Sequence, residues 1–355
     1  MNVKKGFAVR SAVCFLVIVM VLAAFCGCKG SDSGSASGDA AVFTDSAGRE
    51  VELPEKIEKV ATLGTTGQIM MLPLAPEMMI GINAPIEVDS EKYLSADYSD
   101  MPVIGQYYGQ RNLNTEELAQ SDADVIIDLG DTKENVVSDM DEIQSQTGIP
   151  TIHINATLET APEAFRTLGE LLDKKDRAEE LAACCENIYD ETSAVLDKVG
   201  DNKLRILSCT GSDGFTVTEK DSSHSEILDM VGINVADIEG NGGIVDIEQI
   251  HIWDPDVVLF LPGSIYSSVG DMPEWNTLRA IKNGNCYEVP EGPYCWNGYP
   301  PTVNRYLGLL WMTATFYPDQ CDYDLKKEVK EYYSVFYGCK LTDKQYDALV
   351  SNAVK

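Results

Sequence analysis

TEELAQSDADVIIDL at 115–129 and IEQIHIWDPDVVLFL at 247–261 are two copies of one unit. Glu116 aligns with Glu248, Glu117 with Gln249, Leu118 with Ile250, Asp122 with Asp254 and Asp124 with Asp256. The apolar runs Val125-Ile126-Ile127 and Val257-Val258-Leu259 coincide. Each copy reads as a polar cap, a short helix, an acidic turn and a strand. Asn114 with Glu117, and Asp246 with Gln249, take the N-cap and N3 positions of a capping-box type. A strand with no polar alternation is buried on both faces, as in a parallel sheet covered by helices. Two such copies, 132 residues apart, predict two Rossmann-like α/β lobes of similar build.

The rest of the chain alternates in the same way. Strands are expected at Lys59–Leu63, Met79–Asn83, Asp124–Leu129 and Thr151–Asn155 in the first half. In the second half they are expected at Leu204–Thr210, Phe215–Thr218, Val257–Leu261 and Cys286–Val289. Between the halves lies helix-compatible sequence from Thr160 to Val199, opened by a Thr160/Glu163 capping box with Pro162 in the first turn. Phe165, Leu168, Leu171 and Leu172 form one apolar stripe, continued more loosely by Leu181, Ile188, Val195 and Val199, with a break expected at Asp173–Asp176. A piece from Lys175 to Val199 would span about 37 Å, enough to join two lobes as one long α-helix. So stiff a connector predicts small lobe movements rather than wide hinge closure. The expected organisation is a signal at 1–28, a tether at 29–41, a first lobe at 42–160, an interlobe helical segment at 161–199 and a second lobe at 200–355, with a ligand cleft between the lobes.

The compartment follows from the start of the chain. Lys4, Lys5 and Arg10 precede an apolar run from Ala12 to Phe25 that is short for a membrane span and fits a secretory signal. The run ends in Phe25-Cys26-Gly27-Cys28, the pattern of a bacterial lipobox, with Cys28 the expected lipidated thiol and Cys26 the alternative. An ordinary signal peptide with an incidental cysteine is the lesser alternative. Two or more acyl chains anchor a protein stably to a membrane. KGSDSGSASGDAA (29–41) then reads as a flexible tether. The protein is therefore expected outside the cytoplasm, lipid-anchored at the cell membrane. The formal charge is −30, and loss of three basic residues with the signal takes it to about −33. A surface this acidic repels phosphate backbones and argues against nucleic-acid binding. Seven cysteines follow Cys28, with no C-x-x-C among them; Cys286 with Cys295, or Cys321 with Cys339, are pairings that spacing leaves open.

TDSAGREVELPEKIEKVATLG (44–64), NTEELAQSDADVIIDLG (114–130), DIEQIHIWDPDVVLFLPG (246–263) and PEWNTLRAIKNGNCYEVP (273–290), in this order, carry a family resemblance. The chain resembles the substrate-binding proteins of ABC importers for ferric siderophores, haem and vitamin B12, whose two lobes are joined by one long helix. The resemblance implies a non-enzymatic receptor without a cofactor of its own, delivering a small-molecule ligand to permease subunits. It also implies that Glu116 and Glu248 meet arginines of that permease. The residues agree with this role: both lie at N2 of capped helices, where the backbone dipole favours a carboxylate, and arginine engages carboxylates bidentately.

Ligands of open α/β sheets sit beyond the carboxyl ends of the strands. That rule nominates Thr65 and Thr66 in Gly64-Thr65-Thr66-Gly67, and Tyr107, Tyr108 and Arg111 after Val103–Gly105, a loop that lines the cleft in the family. Two aromatics and a cation suit a flat or anionic chelate. In the second lobe the rule nominates Ser212, His224 within Ser222–Ser225, and Gly242-Gly243. It is followed by Trp296 and Tyr299 in a Gly/Pro-rich loop, where large rings are hard to bury, and by Arg305, which has a packing role as its alternative. Three histidines, with His153 in a strand and His251 mid-helix, do not make the three- or four-ligand site that a bare metal needs. Haem ligation by His224 or a tyrosine is the minor variant. Competing readings are an oxyanion such as molybdate as ligand, a surface lipoprotein without a transport role, and a metallocluster enzyme of related fold. No G-x-S-x-G, P-loop or H-E-x-x-H motif supports an enzyme.

Overall fold

The computed structural model describes residues 41–86, 92–238 and 243–355. Cys28, the signal, the tether through residue 40 and Gly242 lie outside the described residues. The described chain opens with a hairpin that the sequence reading did not single out, β1 (Ala41–Thr44) against β2 (Glu50–Leu53). Asp45 holds its turn, accepting from the N–H groups of Ala47 and Arg49 at 3.0 and 2.9 Å.

The first parallel sheet has the order β3 (Val60–Thr62), β4 (Val125–Gly130), β5 (Thr151–Asn155). Helices α1 (Thr65–Leu74), α2 (Thr115–Ala119) and α3 (Val136–Thr147) belong to it. The second sheet is built the same way, in the order β7 (Ile233–Asn234), β6 (Arg205–Cys209), β8 (Val257–Phe260), β9 (Cys286–Glu288). It carries α6 (Glu226–Val231), α7 (Ile247–Trp253) and α8 (Arg279–Lys282). Between the sheets run α4 (Ala161–Leu171) and the 25-residue α5 (Lys175–Val199). The chain closes with α9 (Arg305–Phe316), α10 (Leu325–Tyr337) and α11 (Asp343–Leu349).

The continuous apolar strands are explained by their two covered faces. Val125, Ile127 and Leu129 of β4 enter the main core, while Ile126 enters a separate cluster with Val136, Met140 and Ile143 of α3. Val257 and Leu259 of β8 enter the same main core, and Val258 and Phe260 face Ile250 of α7 and Trp275. Leu181, Ile188, Val195 and Val199 of α5 are buried in that shared core, which joins both sheets through the long helix.

Three local expectations differ. Met79–Asn83 and Phe215–Thr218 contribute only isolated bridges, Val60 with Met79, Ile82 with Val103, Cys209 with Val217 and Thr216 with Ile244. The Thr160 side chain does not cap α4; its hydroxyl accepts from the Thr157 N–H at 2.9 Å instead. The break before α5 does fall at Asp173, whose φ of 53° is left-handed. None of the seven described cysteines is bridged, so neither Cys286 with Cys295 nor Cys321 with Cys339 is joined.

Candidate functional site

The duplicated unit keeps its atomic detail in both lobes. Asn114 Oδ1 accepts from the Glu117 N–H at 3.2 Å, and Asp246 Oδ1 accepts from the Gln249 N–H at 2.8 Å. Glu116 and Glu248 are therefore at N2 of equivalent helices, and both are exposed. Behind each acid a hydrophobic staple closes the first turn, Leu113 toward Leu118 and Val245 toward Ile250. After each helix the second repeated aspartate ties the neighbouring strand. Asp124 Oδ2 accepts from the Lys59 N–H at 2.9 Å, and Asp256 Oδ2 from the Arg205 N–H at 3.0 Å.

In the first lobe, Asn83 organises the loop after β3. Its Nδ2 donates to the carbonyls of Thr62 and Gly105 at 2.6 and 2.8 Å, and its N–H reaches Gln68 Oε1 at 2.7 Å. The following segment folds back on itself. Gln106 N–H donates to Asn112 Oδ1 at 2.8 Å, and Tyr107 N–H donates to the Leu63 carbonyl at 2.8 Å. Gly105 (φ 83°) permits this, since a Cβ there would lie 2.5 Å from the Asn112 carbonyl oxygen. A cavity of about 620 Å³ results, lined by Tyr107, Tyr108, Arg111, Lys133, Asn135 and Asp139 among others. Both phenols donate to Asp139, from Tyr108 at 2.9 Å and Tyr107 at 3.4 Å, and the two rings meet edge to face at 4.9 Å. Burial first, then nearby carboxylates including Asp139, push both phenols above their ordinary pKa, so they stay neutral donors. Lys133 Nζ stands 3.7 Å from the Tyr108 ring centre. Thr65 donates to Gln106 Oε1 at 3.0 Å at the start of α1, and Thr66 is half-buried beside it.

The sequence reading missed Lys133, Asn135 and Asp139. The signal was present, because DTKEN (131–135) lies just beyond the carboxyl end of β4, where the strand-end rule applies.

In the second lobe, His224 and Tyr299 come together as stacked rings, 4.2 Å apart and 3° from parallel. His224 Nδ1 lies 2.7 Å from the Gly298 carbonyl oxygen, which can only accept, so Nδ1 carries a proton and donates it there. The Tyr299 hydroxyl pairs with Thr218 Oγ1 at 3.0 Å. Ser212 is exposed in the Gly211–Gly214 turn.

Two expectations are corrected here. Trp296 is fully buried and does not face a cleft. The Gly/Pro-rich loop lies flat on α9, where Gly308 makes room: a Cβ there would stand 2.2 Å from the Trp296 carbonyl oxygen. Arg305 is only 2% exposed, its Nη1 paired with Glu226 and its Nε donating to the Thr302 carbonyl at 3.1 Å, so it offers no charge to a ligand. Glu226 in turn accepts from the Leu158 N–H at 3.1 Å, just beyond β5, and Asp131 just beyond β4 acts on its carboxylate. The strand ends of the first lobe thus meet the His224–Glu226 segment of the second.

A family model described as periplasmic binding protein matches residues 77–293. The chain belongs to the periplasmic binding protein family. Among curated members, the Fe(3+)-citrate-binding protein of Bacillus subtilis is 26% identical over 292 residues, covering 77% of this chain and 89% of that one. The molybdate-binding protein of Haemophilus influenzae is 22% identical over 335 residues, covering 83% and 90%. An ABC transporter solute binding protein from Sulfurospirillum deleyianum superposes with a TM-score of 0.81 at 26% identity, covering 87% of this chain and 99% of that structure. Among the described residues of this periplasmic binding protein, the candidate ligand groups are those of the Tyr107–Asp139 cavity and the His224–Tyr299 pair.

Proposed function

We propose that this periplasmic binding protein is the lipid-anchored receptor of an ABC importer, with Cys28 as the anchor and an anionic, chelate-sized ligand as cargo. The observation that carries the delivery role is the pair of acids at N2 of equivalent capped helices, one in each lobe. Two contacts of that kind fix orientation on a permease as well as affinity. For the cargo, the cavity supplies Arg111 and Lys133 beside two neutral phenols. Its volume of about 620 Å³ lies within the roughly 300–1,000 Å³ that suits a drug-sized ligand, larger than a bare oxyanion requires. The named ligands of the two curated relatives, ferric citrate and molybdate, are both anions, so molybdate is the second reading. Haem, through its propionates, and cobalamin, through its phosphodiester, also offer anionic groups to the two cations, so both belong in the test.

The test is titration of the purified chain with ferric citrate, molybdate, haem and cyanocobalamin, followed by tryptophan fluorescence and calorimetry. Ferric citrate is expected to bind, and Arg111→Ala with Lys133→Ala to weaken it about a hundredfold, at roughly 1.4 kcal/mol per tenfold. Glu116→Arg with Glu248→Arg is expected to leave that affinity intact while abolishing uptake. Normal uptake by the double reversal removes the delivery role. Tight molybdate binding without ferric citrate binding selects the second reading.

A further inference from the structure

The helices that carry the two acids are not alike on their exposed faces. In α7, Ile252 follows Glu248 by four residues, which places both on one side of the helix. Ile252 is 75% exposed, more than any other large apolar side chain among the described residues. Ile244, two residues before the cap, is 59% exposed and stands four residues before the same acid. Isolated surface isoleucines are ordinary, but Ile252, one helical turn from an exposed carboxylate, makes a mixed face, apolar beside acidic, with exposed Ile244 preceding the same helix. The first lobe has Gln120 where the second has Ile252.

We infer that Ile252, supported by Ile244, is an apolar contact of the second lobe with the importer's membrane subunit, so that docking is uneven, with a mainly polar contact on the first lobe and a mixed one on the second. This rests on the docking reading of Glu248. The occupant is a protein surface that presents a cation beside an apolar pocket. Charge complementarity favours it, because Glu248, Asp246 and a chain of −30 repel the anionic bilayer that is the rival occupant. An aliphatic side chain packed beside an arginine–carboxylate pair also excludes water from it, which strengthens the pair.

The experiment measures equilibrium binding of the chain from residue 29 onward, without its lipid and with no ligand added, to the cognate permease–ATPase complex in nanodiscs, with empty nanodiscs of the same lipids as control. Ile252→Ser is expected to weaken docking roughly tenfold or more while the melting temperature stays unchanged. Ile233→Ser serves as the control, since Ile233 is 46% exposed on β7, at the far edge of the sheet, and is expected to have no effect. If Ile252→Ser docks like the wild type while the Glu116→Arg/Glu248→Arg chain does not, the inference fails and the docking role of the acids stands. If neither variant differs from wild type, both fail. An equal loss on empty nanodiscs identifies the bilayer as the occupant and overturns the protein contact.

Discussion

Arg305 is an arginine whose charge is spent inside the protein. Burial raises the pKa of Glu226, its partner, and the Arg305 charge only partly offsets that. The pair is thus no gain over apolar packing, yet removing one member strands the other. Glu226→Ala is expected to cost about 3 kcal/mol in urea unfolding, because it leaves Arg305 buried without a counter-charge. The pH dependence has a definite sign. A carboxyl whose folded pKa is raised binds its proton more tightly in the native state, so its contribution is full below the ordinary glutamate value and declines as pH rises through the raised one. Stability of the wild type should therefore fall relative to Glu226→Gln as pH rises above the ordinary glutamate value of about 4.5, and a parallel pH course for the two chains would refute the assignment. The same residues mark the limit of sequence reading. Nothing near Trp296 announces that its loop is seated in the core. What seats it are three buried tyrosines of α10, with the hydroxyls of Tyr332, Tyr333 and Tyr337 donating to the Val303 carbonyl, the Gly292 carbonyl and Asn304 Oδ1. Those partners are distant in sequence, so a local rule about Gly/Pro-rich loops misplaced the ring.

Elements were legible where their signal is repeated along the chain. The caps, staples and double-faced strands of the two copies are set by nearest neighbours, and α5 runs from Lys175 to Val199 as its stripe and the break at Asp173 predict. Met79–Asn83 and Phe215–Thr218 have strand-like composition, but Ile82 and Val217 form only single bridges, since full pairing depends on what the rest of the sheet offers. The β1–β2 hairpin escaped notice because its reason lies elsewhere: Arg49 Nη1 donates to the Thr151 carbonyl at 2.7 Å and so docks it on β5. Helix α9 gives a direct test of an element set by tertiary contact. Alanine usually improves a helix-interior glycine by about 1 kcal/mol. At Gly308 the added methyl would meet the Trp296 carbonyl and, at 2.6 Å, Ile227 Cδ1. Gly308→Ala is therefore expected to destabilise by about 1–3 kcal/mol and to shift the tryptophan emission. A higher melting temperature would mean that the loop is not seated on the helix.

At the scale of the molecule, the lobes are fastened at more points than the long helix alone. Leu158, between β5 and α4, has its N–H held by Glu226 and its carbonyl held by the Tyr306 hydroxyl, both from the second half of the chain. At the other end of the junction, Arg177 at the start of α5 donates through Nε to the Pro73 carbonyl of α1 at 2.8 Å and through Nη2 to the Val335 carbonyl of α10. A single apolar core passes through α5 between these ties. Wide closure would have to break all of them, whereas adjustment of the loop carrying Tyr107, Tyr108 and Arg111 breaks none. Ligand recognition is thus expected to work by local ordering around the Tyr107–Asp139 cavity, with the two acids held at a nearly constant separation for the permease. Small-angle scattering with and without bound ferric citrate should give radii of gyration within roughly 1 Å of each other. Tyr306→Phe, which frees the Leu158 carbonyl and removes no charge, should raise hydrogen exchange across residues 156–161 and enlarge the ligand-dependent difference. A large contraction of the wild type on binding, or a Tyr306→Phe chain that exchanges like the wild type there, would show that the interlobe ties do not set the range of motion.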